Sequence, residues 1–233
     1  MIPIQIANNR EIRDIKKLHD LRAGVTYEDP ADVATLRYGL VIITTDMDSD
    51  GTHIRMLLIT FFRKYFGLLK HGMVCYLITF AVRLFTSAGT CVGRFPTVAE
   101  YESWAKANEG HKYRVKYYKG LGTSRDVDIA DDLQTASLVV CLYDDDAPSS
   151  LEMAFGKDSA DARKAWIARW RDQVQTDDIS FVDSKDLVKY RSITNIINRD
   201  LIDYTIDALF RAIPSELDFL KKSQRQALYY VLD

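Results

Sequence analysis

The sequence predicts an α/β fold: a parallel sheet flanked by helices, followed by a mainly helical extension. Three observations carry this. The run LVIITT at residues 40–45 is apolar and β-branched, as a buried strand should be. Strand-like and helix-like stretches alternate through about residue 147, the pattern of a parallel α/β sheet. From Ser149 onward the periodicity is helical.

Taken in order, EIRDIKKLHDL sets Ile12, Ile15, Leu18 and Leu21 on one helical face. A polar connection leads to the strand at 40–45. An acidic loop follows, then a helix from about Thr52 to Lys70, with Thr52 as its cap and Gly72 ending it. MVCYLITFAVRLF reads as a second apolar strand and TSAGTCVGRFP as a turn or hairpin. Thr97 and Glu100 form a capping box for a helix over VAEYESWAKAN. YRVKYY and SLVVCLY are further strands. Beyond them, ADARKAWIARWRDQV places Trp166 and Trp170 one turn apart for packing, and helices are expected at about 184–190 and 198–210. The organisation predicted is residues 1–147 as the α/β domain, 148–210 as a helical extension and 211–233 as the start of a further domain.

With 233 residues, 47% of them hydrophobic, the chain can bury a substantial core. A formal net charge of −2 excludes a globally basic nucleic-acid binder, so any such contact must be a local patch. Cys75, Cys91 and Cys141 have neither zinc-site nor disulfide-framework spacing, and Cys75 and Cys141 sit in apolar runs as buried thiols. The most apolar helical stretch, MLLITFFRKYFGLLK, is interrupted by Arg63 and Lys64 and is too short to span a bilayer.

Asp46, Asp48 and Asp50 alternate along TDMDSDG. A calcium loop of the EF-hand type also begins this way, but it needs a glutamate at its twelfth position, here Leu57, and a helix before it rather than a strand. The alternative is a strand ending in carboxylates, where open α/β sheets place their chemistry. Residues two apart in extended chain point the same way, so Asp46 and Asp48 are able to share one hard cation, with Mg²⁺ the suited choice. A solvated acidic turn is the bland reading; the strand before and the helix after favour the metal.

Two further motifs stand downstream, KYYKGLGTS around Lys119 and RAIPSELDFLKKSQR from Arg211. In this order the three together resemble the type IIA DNA topoisomerases, of the eukaryotic or viral single-chain kind. The first two resemble motifs of the Toprim domain, a Rossmann-like fold. The third is similar to the start of the winged-helix DNA-breakage region, which in that family reads RxIPSxxDGLKPGQRK. The resemblance extends from about Pro3 to Asp233.

What the resemblance implies is an ATP-driven homodimer that cuts both strands of one DNA duplex and passes another through the break. A tyrosine attacks the phosphodiester while Mg²⁺, for which Mn²⁺ or Ca²⁺ can substitute, stabilises charge. Asp46 and Asp48 match its metal-binding pair and Asp50 its third acid, in a more supporting role. Lys119 and Gly120 match a loop close to DNA phosphate; Lys221 and Arg225 match backbone contacts; His53 is a supporting residue whose helix-start role is at least as expected. The family's EGDSA-type glutamate, its nucleophilic tyrosine and its ATP site are expected outside this chain, so the chain alone is expected not to cleave DNA. Tyr229 and Tyr230 are not that tyrosine. The segment DFLKKSQRQ departs from DGLKPGQRK at Phe219, Lys222, Ser223 and Gln226, and ITFA replaces ITPI. These departures favour, as the alternative, a non-catalytic module that keeps the fold; another Toprim phosphotransfer enzyme is disfavoured by the IPS segment. The expected compartment is the nucleus, with mitochondrion or viral factory as alternatives, and no membrane association is expected.

Overall fold

A computed structural model describes residues 8–110, 112–135, 138–173 and 188–232. Its helices are α1 (Arg10–His19), α2 (Pro30–Val33), α3 (Ser49–Phe62), α4 (Phe66–Lys70), α5 (Val98–Ala107), α6 (Asp126–Thr135), α7 (Ala147–Phe155), α8 (Ala160–Gln173), α9 (Ile193–Ile196), α10 (Ile202–Ala212) and α11 (Lys222–Leu232). Its strands are β1 (Val41–Ile43), β2 (Val74–Leu77), β3 (Val82–Phe85), β4 (Cys91–Phe95), β5 (Arg114–Tyr117), β6 (Leu138–Leu142) and β7 (Val188–Ser192). A π-helical turn, Ile197–Leu201, joins α9 to α10. Among the described residues no helix is long and apolar enough to cross a membrane.

The α/β class holds, with helices packed on a four-stranded sheet of order β1-β2-β6-β7. Its β1/β2 and β6/β7 pairs are parallel, and the central β2/β6 pair is antiparallel. β2 is buried along its whole length, whereas β1 is an edge strand with Ile42 exposed. Val74, Tyr76, Val139 and Cys141 of the sheet meet Met56, Ile59 and Phe62 of α3, Leu68 and Leu69, and Ile193, Ile196 and Ile202 in one core. Cys75 and Cys141 are buried and free, and desolvation pushes their thiols up to about 11 and about 12.

Several expectations are corrected. MVCYLITFAVRLF is two strands: the chain leaves the first sheet after Leu77 and enters a second, antiparallel sheet of order β4-β3-β5 at Val82. The helix expected over Thr52–Lys70 begins earlier and breaks at a 3-10 turn, Arg63–Tyr65, where the Gly67 amide donates to the Thr26 carbonyl. Its cap is Asp48, not Thr52. Residues 188–190, expected to be helical, belong to β7; residues 184–187 lie outside the described ones. Pairing with β6 outweighs local helix propensity there, and β7 joins the sheet from beyond residue 147, so a boundary at that point divides one sheet. On α1, Leu18 is exposed; Ile15 packs partly buried against the core and Leu21, just past the helix, is buried in it.

Candidate functional site

The acidic row begins where β1 ends. Asp48 keeps extended backbone (φ −84°, ψ 174°) and caps α3, its Oδ1 accepting from the Gly51 amide at 2.7 Å. Gly51 is required here because a Cβ would lie 2.1 Å from the Asp46 carbonyl oxygen. The first turn of α3 therefore rests directly on the backbone that carries Asp46.

Two other segments close around this loop. The crossover between the sheets passes beside it, with Thr79 Oγ1 donating to the Thr45 carbonyl at 3.3 Å. The KGLG loop then docks on the crossover, the Tyr118 amide donating to the Ala81 carbonyl at 2.8 Å. Gly120 (φ +152°) approaches so closely that a Cβ would sit 2.7 Å from the Asp46 carboxyl carbon. Thr123 holds the turn, its hydroxyl accepting from the Lys119 amide and donating to the Gly120 carbonyl. Between the three segments lies a cavity of about 170 Å³ lined by Met47, Asp48, Thr79, Phe80, Tyr118 and Lys119, with Gly120 and Asp132 among its other walls.

Behind the cavity is a buried charge network. Arg83 of β3, 2% exposed, donates to Asp132 at 2.6 Å, to Asp131 and to the Asp128 carbonyl. Asp128 also accepts from Tyr118 Oη and from the Arg125 guanidinium. Hydrogen bonds from Arg125 hold its carboxyl well below the usual range, against the opposing effect of burial. This network fixes α6, and through Tyr118 it fixes the base of the KGLG loop.

The remaining expected residues are placed elsewhere. Asp50, expected as the third metal acid, is engaged by Arg211 at 3.0 and 2.8 Å, and that hydrogen-bonded pairing lowers its carboxyl from the ordinary value. His53 stacks on Tyr204 at 4.2 Å, which fits packing between α3 and α10; burial lowers its imidazole, opposed by the charge of Asp50. Lys221 and Arg225 lie in a terminal segment in which none of residues 211–231 is buried. There Arg225 pairs with Asp218 at 2.7 and 2.9 Å, and the Lys221 amide donates to Gln224.

Among the described residues, no group of three or more His, Cys, Asp or Glu side chains is arranged to hold a metal ion. Asp46 and Asp48 nonetheless suit a hard cation as a pair. They are exposed carboxylates two residues apart, and the Gly120 backbone lies close against the Asp46 carboxyl. Sequence reasoning missed Arg211, Arg83, Tyr118 and Asp132. Arg211 pairs across 161 positions and leaves no local signal. Arg83 left one, a lone arginine in an apolar strand with the acidic helix DVDIADD downstream.

Comparison with known proteins decides the family. Residues 77–209 match the family described as the C-terminal associated domain of TOPRIM. DNA topoisomerase 2-beta of Gallus gallus is 33% identical over 97% of this chain and 14% of its own length. DNA topoisomerase 2 of Plasmodium falciparum (isolate K1 / Thailand) is 34% identical over 97% of this chain and 16% of its own. The chain belongs to the type II DNA topoisomerase family. In three dimensions the chain is similar to the crystal structure of the Plasmodium falciparum topoisomerase II DNA-binding, cleavage and re-ligation domain. The TM-score is 0.76 at 32% identity, covering 97% of this chain and 30% of that one. A relative from Dictyostelium discoideum, 31% identical over 97% of this chain and 17% of its own length, is named as mitochondrial. The chain thus spans well under a fifth of the length of these curated topoisomerase relatives.

Proposed function

We propose that this chain is the cation-holding and DNA-engaging segment of an ATP-dependent type II DNA topoisomerase, a homodimer that breaks one duplex and passes another through it. Asp46 and Asp48 hold Mg²⁺, with Mn²⁺ or Ca²⁺ able to take its place. When bound, the ion supplies charge stabilisation at a DNA phosphate and its leaving oxygen. ATP binds outside this chain. The expected compartment is the nucleus; the mitochondrial name of one relative marks the alternative.

The observation that carries the reading is the meeting of two motifs at one carboxylate: Gly120 abuts Asp46. The bare backbone at Gly120 permits this close approach, and exposed Lys119 stands at the same cavity as Asp48. A phosphate beside the carboxylate pair would have Lys119 as its counter-charge. Lys221 and Arg225 contribute backbone contacts from the terminal segment. Arg225 exchanges its Asp218 partner for phosphate to do so.

A second reading, a non-catalytic module, is favoured by one observation: Phe219 sits at φ 55°, left-handed backbone, at the position where the family motif has glycine. Duplex binding measured by fluorescence anisotropy over a salt series separates the two. The topoisomerase reading expects Mg²⁺-sensitive binding whose salt slope falls by about 1 on Lys119→Ala. Binding that is absent, or indifferent to Lys119→Ala, favours the non-catalytic module.

A further inference from the structure

Helix α3 carries the acidic loop at its start, and α10 leads directly into the RAIPS segment. α3 runs antiparallel to α10 and the π-helical turn before it, joined to them by four polar or aromatic contacts. Arg55 Nη2 meets Asp200 Oδ2 at 3.3 Å; His53 stacks on Tyr204; Ser49 Oγ donates to Asp207 at 2.9 Å; Asp50 takes both prongs of Arg211. Opposite α3 these residues are 200, in the π-helical turn, and 204, 207 and 211 on α10, one stripe three to four residues apart. The far end of the ladder is buried, where Asp200 also receives Arg191 at 2.9 and 2.8 Å. The near end, Asp50 and Arg211, is half-exposed and lies where α10 gives way to the terminal segment.

Arg211 is itself held from two sides, since its Nε reaches Asp207 at 3.2 Å. Asp207 in turn binds Ser49, the first residue of α3. The first turn of α3 is thereby gripped at two consecutive residues by one guanidinium and the carboxylate beside it. A bidentate guanidinium fixes orientation as well as distance, which an ammonium does not.

We propose that Arg211 is a positioning residue for the acidic loop. It locks the first turn of α3 to α10, keeps Asp50 outside the cation's ligand set, and leaves Asp46 and Asp48 as the pair this chain offers. The cation part rests on the proposed function; the lock does not. The lock also means that a displacement of the segment leaving α10 is transmitted to the loop.

Amide hydrogen exchange on the full chain tests the lock. The amides to follow are Gly51 and Thr52, which donate to Asp48 Oδ1 and to the Asp48 carbonyl. Arg211→Gln and Asp50→Asn are each expected to speed their exchange roughly two- to fivefold, with the double variant no faster than either single one. Arg211→Lys, which keeps the charge and loses the fork, falls between. Core amides at Tyr76 and Val140 stay unchanged, which separates a local lock from general destabilisation. Unchanged exchange at Gly51 and Thr52, or additive effects in the double variant, overturns the lock.

Mn²⁺ titration followed by electron paramagnetic resonance tests the ligand set. Asp50→Asn is expected to cost far less affinity than Asp46→Asn or Asp48→Asn. An equal cost makes Asp50 a ligand and overturns the proposal. If the unsubstituted chain binds no Mn²⁺, the proposed cation site fails, and exchange alone decides the lock.

Discussion

The acidic loop and the terminal segment both carry motif residues, yet they are supported in opposite ways. The loop at 46–50 is gripped from outside itself: by the crossover at Thr79, by Gly120 of the KGLG loop and by Arg211 of α10. The segment at 213–231 is held mostly from within. Arg225 pairs with Asp218, the Phe219 amide donates to Ser215, and Leu217, Phe219, Tyr230 and Val231 stand in solvent. Conserving a loop's geometry through distant contacts makes it insensitive to its own local propensity. A segment held by its own turns keeps only the geometry those turns allow. The first arrangement suits a site that must hold two carboxylates in place before a ligand arrives.

The sharpest way to break this contrast is to remove the network behind the loop. Arg83→Met leaves Asp132 buried without its partner and is expected to cost about 3–5 kcal/mol, read from the denaturant midpoint. Gly51→Ala comes next. The added methyl meets the Asp46 carbonyl, a backbone atom that cannot swing aside, and should cost about 1–3 kcal/mol. Gly120→Ala meets the Asp46 carboxyl group and also puts a side chain on φ +152° backbone, so both cation binding and stability should fall.

Acid should act on the body of the fold and spare the terminal turn. Asp128 is depressed in the folded state, so its contribution is present above the unfolded carboxylate value of about 3.9 and is lost as pH falls below it. His53 is also depressed, so its contribution is present above about 6.5 and declines as pH falls through that region. Stability curves should therefore slope downward on acidification in two stages. His53→Gln shrinks the upper stage, which His19 shares, and Asp128→Asn shrinks the lower one. Asp218 carries the same sign, held down to about 2 by Arg225, but it is exposed and screened.

The smallest effect belongs to the terminal turn. Phe219 is 80% exposed in left-handed backbone, so Phe219→Asn gives up little packing and relieves strain. The expected gain is about 0.5–1 kcal/mol, confined to the turn and seen as slower exchange of the Ser215 amide, which donates to Leu220.

How much of this was legible in the sequence follows the same contrast. The strand-loop-helix around Asp46 and Asp48 is readable because its signals are local: β-branched run, acids, glycine, apolar helix. The capping box at Thr97 was readable for the same reason, and its hydroxyl accepts from the Glu100 amide as expected. Thr52 reads as the cap because it follows the turn at Gly51, whereas an oxygen of Asp48, three residues before that glycine, serves the helix. β7 was mistaken for a helix because its strand character comes from pairing with β6, some fifty residues earlier. Asp50 reads in the sequence as a third, supporting acid, and nothing near it announces its partner Arg211.

The most direct test of the central claim is Mn²⁺ binding by the chain, compared with Asp46→Asn and Asp48→Asn. Asp48→Asn is the informative variant, because an amide oxygen still caps α3 while the ligand charge is gone. The account expects saturable binding that either substitution removes, with the fold intact by far-ultraviolet circular dichroism. Binding that survives both substitutions, or an unsubstituted chain that takes up no Mn²⁺, would contradict it.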